Sequence, residues 1–529
     1  MRALFHFLCA ASLALAVPAA AQIGGASVAV APRLSFSAEE MALAEAVASD
    51  PVLAEFYGTN GLRRIFTASE KTALREAMAA AFAAAGDHGL PNGRYQITAK
   101  PSGLADEIAH ARSLSRYLGD LGGGLIDPGS ADAQIHRQAH RTKVAAAMHQ
   151  VVAAEDPRDA LADLAPQDPA YRDLQKALKA QAQLVVSADL PKAPEAVWRV
   201  GMSGPGVIPL RDRLRSIGYD SIASEAATYD QALSEAVARY QDAVGLRPDG
   251  VAGPNTIRRL NVGPGAQQRA ILVALERMRW LGDQDLSARM VWVNIPEFTG
   301  RIKEGGHEVF RTRVVVGKTD HDMRTPEFSD LMEYVVVNPR WNVPRSITVR
   351  EYLPRLQANR HAVAHLDVVD GRGNIIPRDR IDFGRYTAAN FPYRMRQKPS
   401  DDNALGLVKF IFPNQWNIYL HDTPTKHLFA NNRRAYSHGC VRVGDPFDLA
   451  TALLSRQSDD PHGLFHRTLA TQNERWLKLD PPVPVHLVYF TAFPDQTGRI
   501  RYFDDIYGRD AAVWEKLAQA GLDLNAGKD

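Results

Sequence analysis

Two neighbouring stretches decide the reading: Trp416-Asn417-Ile418-Tyr419-Leu420-His421 and, after a loop, Ser437-His438-Gly439-Cys440-Val441-Arg442. The first alternates as a strand does and ends on a histidine. The second is a turn that carries a thiol. An ordinary thiol is mostly protonated at neutral pH and needs a neighbouring base to become a nucleophile. His438, two residues from Cys440, is too close in sequence to meet the sulfur easily if the chain is extended. His421, at the end of its strand, can be brought to it. Gly439 suits a tight turn in which the N–H groups of Gly439 and Cys440 face a developing oxyanion. The residues alone leave two other readings open: a buried, inert core cysteine, and a zinc site using His421, His427, His438 and Cys440. The zinc reading lacks a carboxylate or a paired-histidine spacing.

Outward from this motif, the chain reads as a multidomain α+β protein of 529 residues. Residues 290–495 are β-rich. Val291, Val293 and Ile295 alternate with Trp292 and Asn294, and Glu308 to Val316 and Leu331 to Val337 follow the same style. Gly305-Gly306 reads as the hairpin turn joining the first two of these. Strands resume at Leu407 to Phe412 and Trp416 to His421, with a further one at Pro484 to Phe493. Residues 345–400 interrupt them with a helix over Val349 to Gln357 and a basic stretch ending at Lys398. The apolar residues Phe383, Tyr386, Phe391 and Tyr393 predict an ordered cap there. Trp341 and Asn342 begin the insertion and border the cleft, and Trp416 reads as core. Residues 496–529 form a C-terminal tail with a short hairpin and a helix near Ala511 to Ala520.

Upstream, residues 35–190 read as an alanine-rich helical module, with capping boxes at Ser37–Glu40 and Thr67–Glu70. Residues 200–262 read as three short helices. Val207, Leu210, Leu214 and Ile217 line the first, and Asp230 caps the second. Gln267 to Leu281 reads as a helical linker. Residues 1–21 have a basic start, an apolar core from Leu4 to Val17 and an A-x-A site at Ala19-Ala20-Ala21, the pattern of a cleavable export signal. Cys9 falls inside it, so Cys440 is the one thiol of the exported chain and no disulfide forms there. The net charge of +2 gives no argument for nucleic acid or for an anionic membrane surface. No later stretch is apolar enough for stable membrane insertion.

The segment from Asn417 to Val443 resembles the active-site segment of L,D-transpeptidases with a YkuD-type catalytic domain: His421, a loop, then Ser437-His438-Gly439-Cys440-Val441-Arg442. Residues 200–262 resemble the peptidoglycan-binding repeat. The domain order resembles murein L,D-transpeptidases with a helical scaffold domain. The resemblance implies a periplasmic cysteine acyltransferase that needs no cofactor or metal and acts on peptidoglycan peptide stems. Cys440 is then the nucleophile and His421 the proton donor and acceptor. His438 shapes the site, and Gly439 lends its backbone to the oxyanion. Ser437 supports the loop, Arg442 anchors a carboxylate or the backbone, and Tyr419, Trp341 and Asn342 lie near the donor. It also implies 3-3 cross-links made through a thioester, and acylation by carbapenem-type β-lactams. L,D-carboxypeptidase activity, attachment of proteins to the wall, and non-catalytic wall binding are the competing readings.

Overall fold

Helix Ala38–Val47 opens with the reciprocal capping bonds that its sequence predicts: Ser37 N to Glu40 Oε2 at 2.6 Å and Glu40 N to Ser37 Oγ at 3.2 Å. The computed structural model describes residues 36–138, 143–183, 190–219, 225–261, 264–282 and 284–524, so the export segment lies outside the described residues. The second expected box, Thr67–Glu70, does not form. Thr67 gives its N–H and its hydroxyl to Glu107 Oε2 at 2.8 and 2.9 Å instead. Glu107 is fully buried and also accepts from the Tyr57 hydroxyl and the Ile65 N–H, each at 2.7 Å. A buried carboxylate must collect such donors, and that demand outweighs a local cap.

The three short helices are Val207–Ser216, Gln231–Ala243 and Pro254–Asn261. Val207, Leu210 and Leu214 are buried, and Asp230 accepts from the Leu233 N–H at 2.8 Å as an N-cap should.

The expected linker is a core element. Helix Pro264–Trp280 buries Ile271, Leu272, Val273, Ala274 and Leu275 together, so this stretch is covered on every side. Its charged residues are buried as well. Glu276 accepts from the N–H groups of Leu125 and Ile126 and from Trp280 Nε1, and pairs with Arg279 at 2.6 Å. Arg277 pairs with Glu327 at 2.6 Å and Asp510 at 2.9 Å.

The β-rich region holds fourteen strands. The first four are β1 (Met290–Asn294), β2 (Thr299–Glu304), β3 (His307–Gly317) and β4 (Phe328–Val337). Within the insertion lie β5 (Trp341–Asn342), β6 (Leu366–Val369) and β7 (Arg394–Gln397). Then follow β8 (Val408–Ile411), β9 (Leu420–His421), β10 (Ala435–Ser437), β11 (Val441–Val443) and β12 (Arg475–Val488). The hairpin β13 (Ala492–Pro494) and β14 (Ile500–Tyr502) ends the series. The large sheet runs β10-β3-β11-β9-β8-β4-β12-β1-β2, and β2 also pairs with β3, so it rolls closed on itself. Gly305-Gly306 joins β2 to β3; β2, unread in the sequence because its Thr-Gly-Arg-Ile-Lys-Glu is mostly polar, supplies the intervening strand. Val293, Ile302, Val314, Val335, Phe410, Leu420 and Val441 are among the residues that fill the interior.

The insertion is an ordered cap. Its own sheet runs β5-β7-β6, so the basic stretch Arg394 to Gln397 is a strand, over a core of Phe383, Phe391 and Met395. Its helical part runs through Arg345–Ile347, Thr348–Tyr352 and Leu353–Ala358. The expected tail is built into the body: Tyr507 joins the core, and the closing helix Arg509–Gln519 carries Arg509 and Asp510 into the Arg277 network.

Candidate active site

The register of the short parallel pair β9–β11 sets the site. Val441 lies opposite Leu420 and Arg442 opposite His421, which places Cys440 beside Tyr419. Paired residues share a face and successive ones alternate. Leu420 and Val441 therefore enter the core, while Tyr419, His421, Cys440 and Arg442 stand together on the other face. The register sets His421 opposite Arg442, one step along the ladder from the Tyr419–Cys440 position and on the same face. β9 is shorter than expected, because Asn417 takes a left-handed turn at φ 55°.

The turn at Cys440 is held from both sides. Ser437 Oγ donates to the Cys440 carbonyl and accepts from the Gly439 N–H at 3.2 Å. The Gly439 N–H, expected to face an oxyanion, is therefore engaged within the motif. Thr325 Oγ1 donates to the Gly439 carbonyl at 2.7 Å. Gly439 has φ +108°, and an added Cβ would stand 3.2 Å from Ile418 Cδ1. Only glycine fits there without strain.

Burial pushes the Cys440 thiol up to about 11, although Tyr419, Lys409 and Arg442 all pull the other way. The Tyr419 N–H and hydroxyl are the largest of the influences that pull the thiol down. Sγ itself lies 3.6 Å from the Asn417 carbonyl, its acceptor at rest. His421 is 5% exposed, and burial lowers it to about 3, with Arg442 adding to the effect. Its Nδ1 bonds the Asp422 carbonyl. A carbonyl only accepts, so Nδ1 carries the proton and Nε2 keeps a lone pair. Burial thus pushes both the Cys440 thiol and the His421 imidazole towards their neutral forms.

The other expected residues sort by position. His438 faces the cap, with Nε2 2.7 Å from Glu351 Oε1. Arg442 donates to Thr425 Oγ1 at 3.1 Å, while its Nε is buried with no partner among the described residues. Trp341 is buried in the cap core, against which Tyr419 packs. Asn342 is exposed at the start of the cap. Trp416 is half-buried, stacked on His136 at 4.1 Å and against Phe328. Sequence reasoning missed Thr325, Asn417, Glu351 and Lys409. Only Lys409 leaves a local signal, a lone cation alternating with Val408 and Phe410.

Cys440 and His421 thus share one sheet face beneath an inserted cap. Residues 288–463 match the profile of the YkuD L,D-transpeptidase catalytic domain. Residues 51–178 match a scaffold domain and 203–260 a peptidoglycan-binding domain described as “putative”. The chain therefore carries a YkuD L,D-transpeptidase catalytic domain together with scaffold and peptidoglycan-binding domains. A curated protein of Haemophilus influenzae named “Putative L,D-transpeptidase” is 34% identical over 236 residues, covering 44% of this chain and 47% of the relative. The chain thus spans about half the length of the curated relative it matches. An L,D-transpeptidase structure from Xylanimonas cellulosilytica aligns at 16% identity over 56% of this chain and 98% of its own, with a TM-score of 0.16. A fused amidase, peptidase and peptidoglycan-binding protein from Clostridium acetobutylicum aligns at 11% identity over 56% of this chain and 100% of its own, with a TM-score of 0.15. At such scores neither bears on the fold. Among the described residues no helix is long and apolar enough to cross a membrane.

Proposed function

We propose that the protein is a peptidoglycan L,D-transpeptidase that forms 3-3 cross-links through a thioester on Cys440. The observation that carries this is the shared face of Cys440, Tyr419, His421 and Arg442. The sulfur attacks the carbonyl between the third and fourth residues of a donor tetrapeptide. Its proton passes to Nε2 of His421, which is free to accept it, and the Tyr419 hydroxyl stabilises the charge left on sulfur. The Cys440 N–H is the donor for the oxyanion, because that of Gly439 is engaged. The C–N bond breaks, and the terminal D-alanine leaves as the amine with the proton from His421. A side-chain amine of a second stem then attacks the thioester and yields its proton to His421. The new amide forms, and the sulfur regains its proton. Arg442 anchors the leaving residue's carboxylate, Ser437 and Gly439 hold the turn, and His438 ties it to the cap. The expected substrate and the expected export signal both support action in the periplasm.

Purified protein lacking residues 1–21, incubated with a disaccharide-tetrapeptide, should give a cross-linked dimer lacking one D-alanine by mass spectrometry. The Cys440→Ala variant should give none. Tripeptide without dimer would mean that water resolves the thioester and the enzyme is an L,D-carboxypeptidase. Absence of any Cys440-dependent product would refute both. Carbapenem-type β-lactams should add their mass to the protein at Cys440, and retention of that adduct in Cys440→Ala would refute acylation there.

A further inference from the structure

The strand registers place six residues in one row across the large sheet: Trp476, Val336, Lys409, His421, Arg442 and Val315. Directly paired residues share a face, so Lys409 and Arg442 flank His421 on its two sides. Neighbouring strands are ~4.8 Å apart, so the two cations attach ~10 Å from each other across the histidine.

Lys409 is half-buried, with Nζ 5.0 Å from the Tyr419 ring and 5.8 Å from the Trp476 ring. Among the described residues it has no ion-pair partner. The acid whose field it feels, Glu474, is taken by the Arg340 N–H at 2.9 Å and stands 4.0 Å from the Arg340 guanidinium. Burial lowers the pKa of Lys409, as it must for an ammonium held between two rings without an anion. Such a charge is costly unless a ligand supplies the counter-charge. Trp476, 54% exposed beside it, provides an open apolar surface on the same face.

We propose that Lys409 is a specificity-determining residue that binds the side-chain carboxylate of the third residue of the donor stem, with Trp476 covering the adjoining methylenes. The proposal rests on the peptide-stem reading above. Arg442 and Lys409 both act on the Cys440 thiol, from the two sides of His421, and Arg442 takes the carboxylate next to the scissile bond. Lys409 lies on the side of His421 away from Arg442, beside the exposed Trp476.

The test measures tetrapeptide affinity by calorimetry in Cys440→Ala protein, which removes turnover from the readout. The stem is used with its third-residue carboxylate free and amidated. Lys409→Met should weaken the free-acid stem by about tenfold or more, the range for a hydrogen bond to a charged group. It should leave the amidated stem unchanged, and Lys409→Arg should restore part of the loss. Equal weakening of both stems, or of neither, overturns the proposal. If Cys440→Ala protein binds neither stem, the Lys409 proposal falls. Cys440-dependent products then decide the transpeptidase reading separately. Binding with Lys409 dependence but no Cys440-dependent product leaves Lys409 standing and refutes only the chemistry.

Discussion

The resting charge of Cys440 can be measured directly, with pH as the perturbation. The thiol sits at about 11 where an ordinary one sits near 9.0, so at neutral pH it holds about a hundredfold less thiolate. A more basic thiolate is more nucleophilic, and a Brønsted slope of about 0.45 returns roughly eightfold in thiol–disulfide exchange. The net expectation is exchange roughly tenfold slower than that of an ordinary exposed thiol, before steric access is counted. The assay is reaction of the native protein with 4,4′-dithiodipyridine, followed by absorbance from pH 6 to pH 10. Access to the sulfur scales every point equally, so the shape of the profile carries the answer. The logarithm of the rate should rise by about one per pH unit throughout, because no plateau falls below the thiol's own pKa. Lys409→Met and Arg442→Met should each slow the reaction further, since both cations pull the thiol down. A plateau between pH 6 and 8 would refute the reasoning, because it would mean that a thiolate–imidazolium pair already exists before substrate arrives.

Gly439→Ala forces a side chain onto a left-handed backbone beside Ile418; it should cost about 1–3 kcal/mol of stability and abolish acylation of Cys440, read by denaturant melts and intact mass. Glu351→Ala cuts the bond from the cap to His438, and hydrogen exchange should rise in residues 345–358 while the large sheet stays protected. Burial holds His88 at about 4 and His421 and His486 at about 3. Protons therefore bind the unfolded chain first as pH falls below about 6.5, and urea melts should show stability falling between pH 6 and pH 4 by up to about 1.4 kcal/mol per pH unit for each histidine. Stability that rose with acid in that window would contradict the neutral assignment. Arg277→Met removes the cation that Glu327 and Asp510 share, leaving Glu327 the longer contact with Arg509, and should cost about 3–5 kcal/mol, which a thermal melt would register.

Much of the site was legible because strand and turn signals are local. His421 at a strand end, glycine at Gly439 and the thiol of Cys440 needed only spacing to be read together. The ladder of Lys409, His421 and Arg442 was not legible, because it is a product of register among three strands separated by loops. The polar strand β2 was missed for a related reason. Its partners on both sides supply the hydrogen bonds, and Lys303 lies over Trp292 at 5.2 Å, so its polar residues need no alternating pattern to stay in the sheet. The helix Pro264–Trp280 read as a linker because Glu276, Arg277 and Arg279 look like a solvent face. Burial of those charges depends on Leu125, Glu327 and Asp510, which lie far away in sequence. The cap was foreseen from its aromatic content, whereas the bond from Glu351 to His438 follows from packing alone.

Arg499 and Arg501 both reach Asp242, Arg259 reaches Asp504, and Tyr502 packs on the core of the three-helix module. The hairpin that makes these contacts leads straight into the helix carrying Arg509 and Asp510, beneath the catalytic sheet. The module therefore behaves as a fixed arm of the enzyme and not as a tethered hook. On the function proposed above, a wall strand held by the module would meet the sulfur at a set distance, and stems would be selected by their place along the strand as well as by their chemistry.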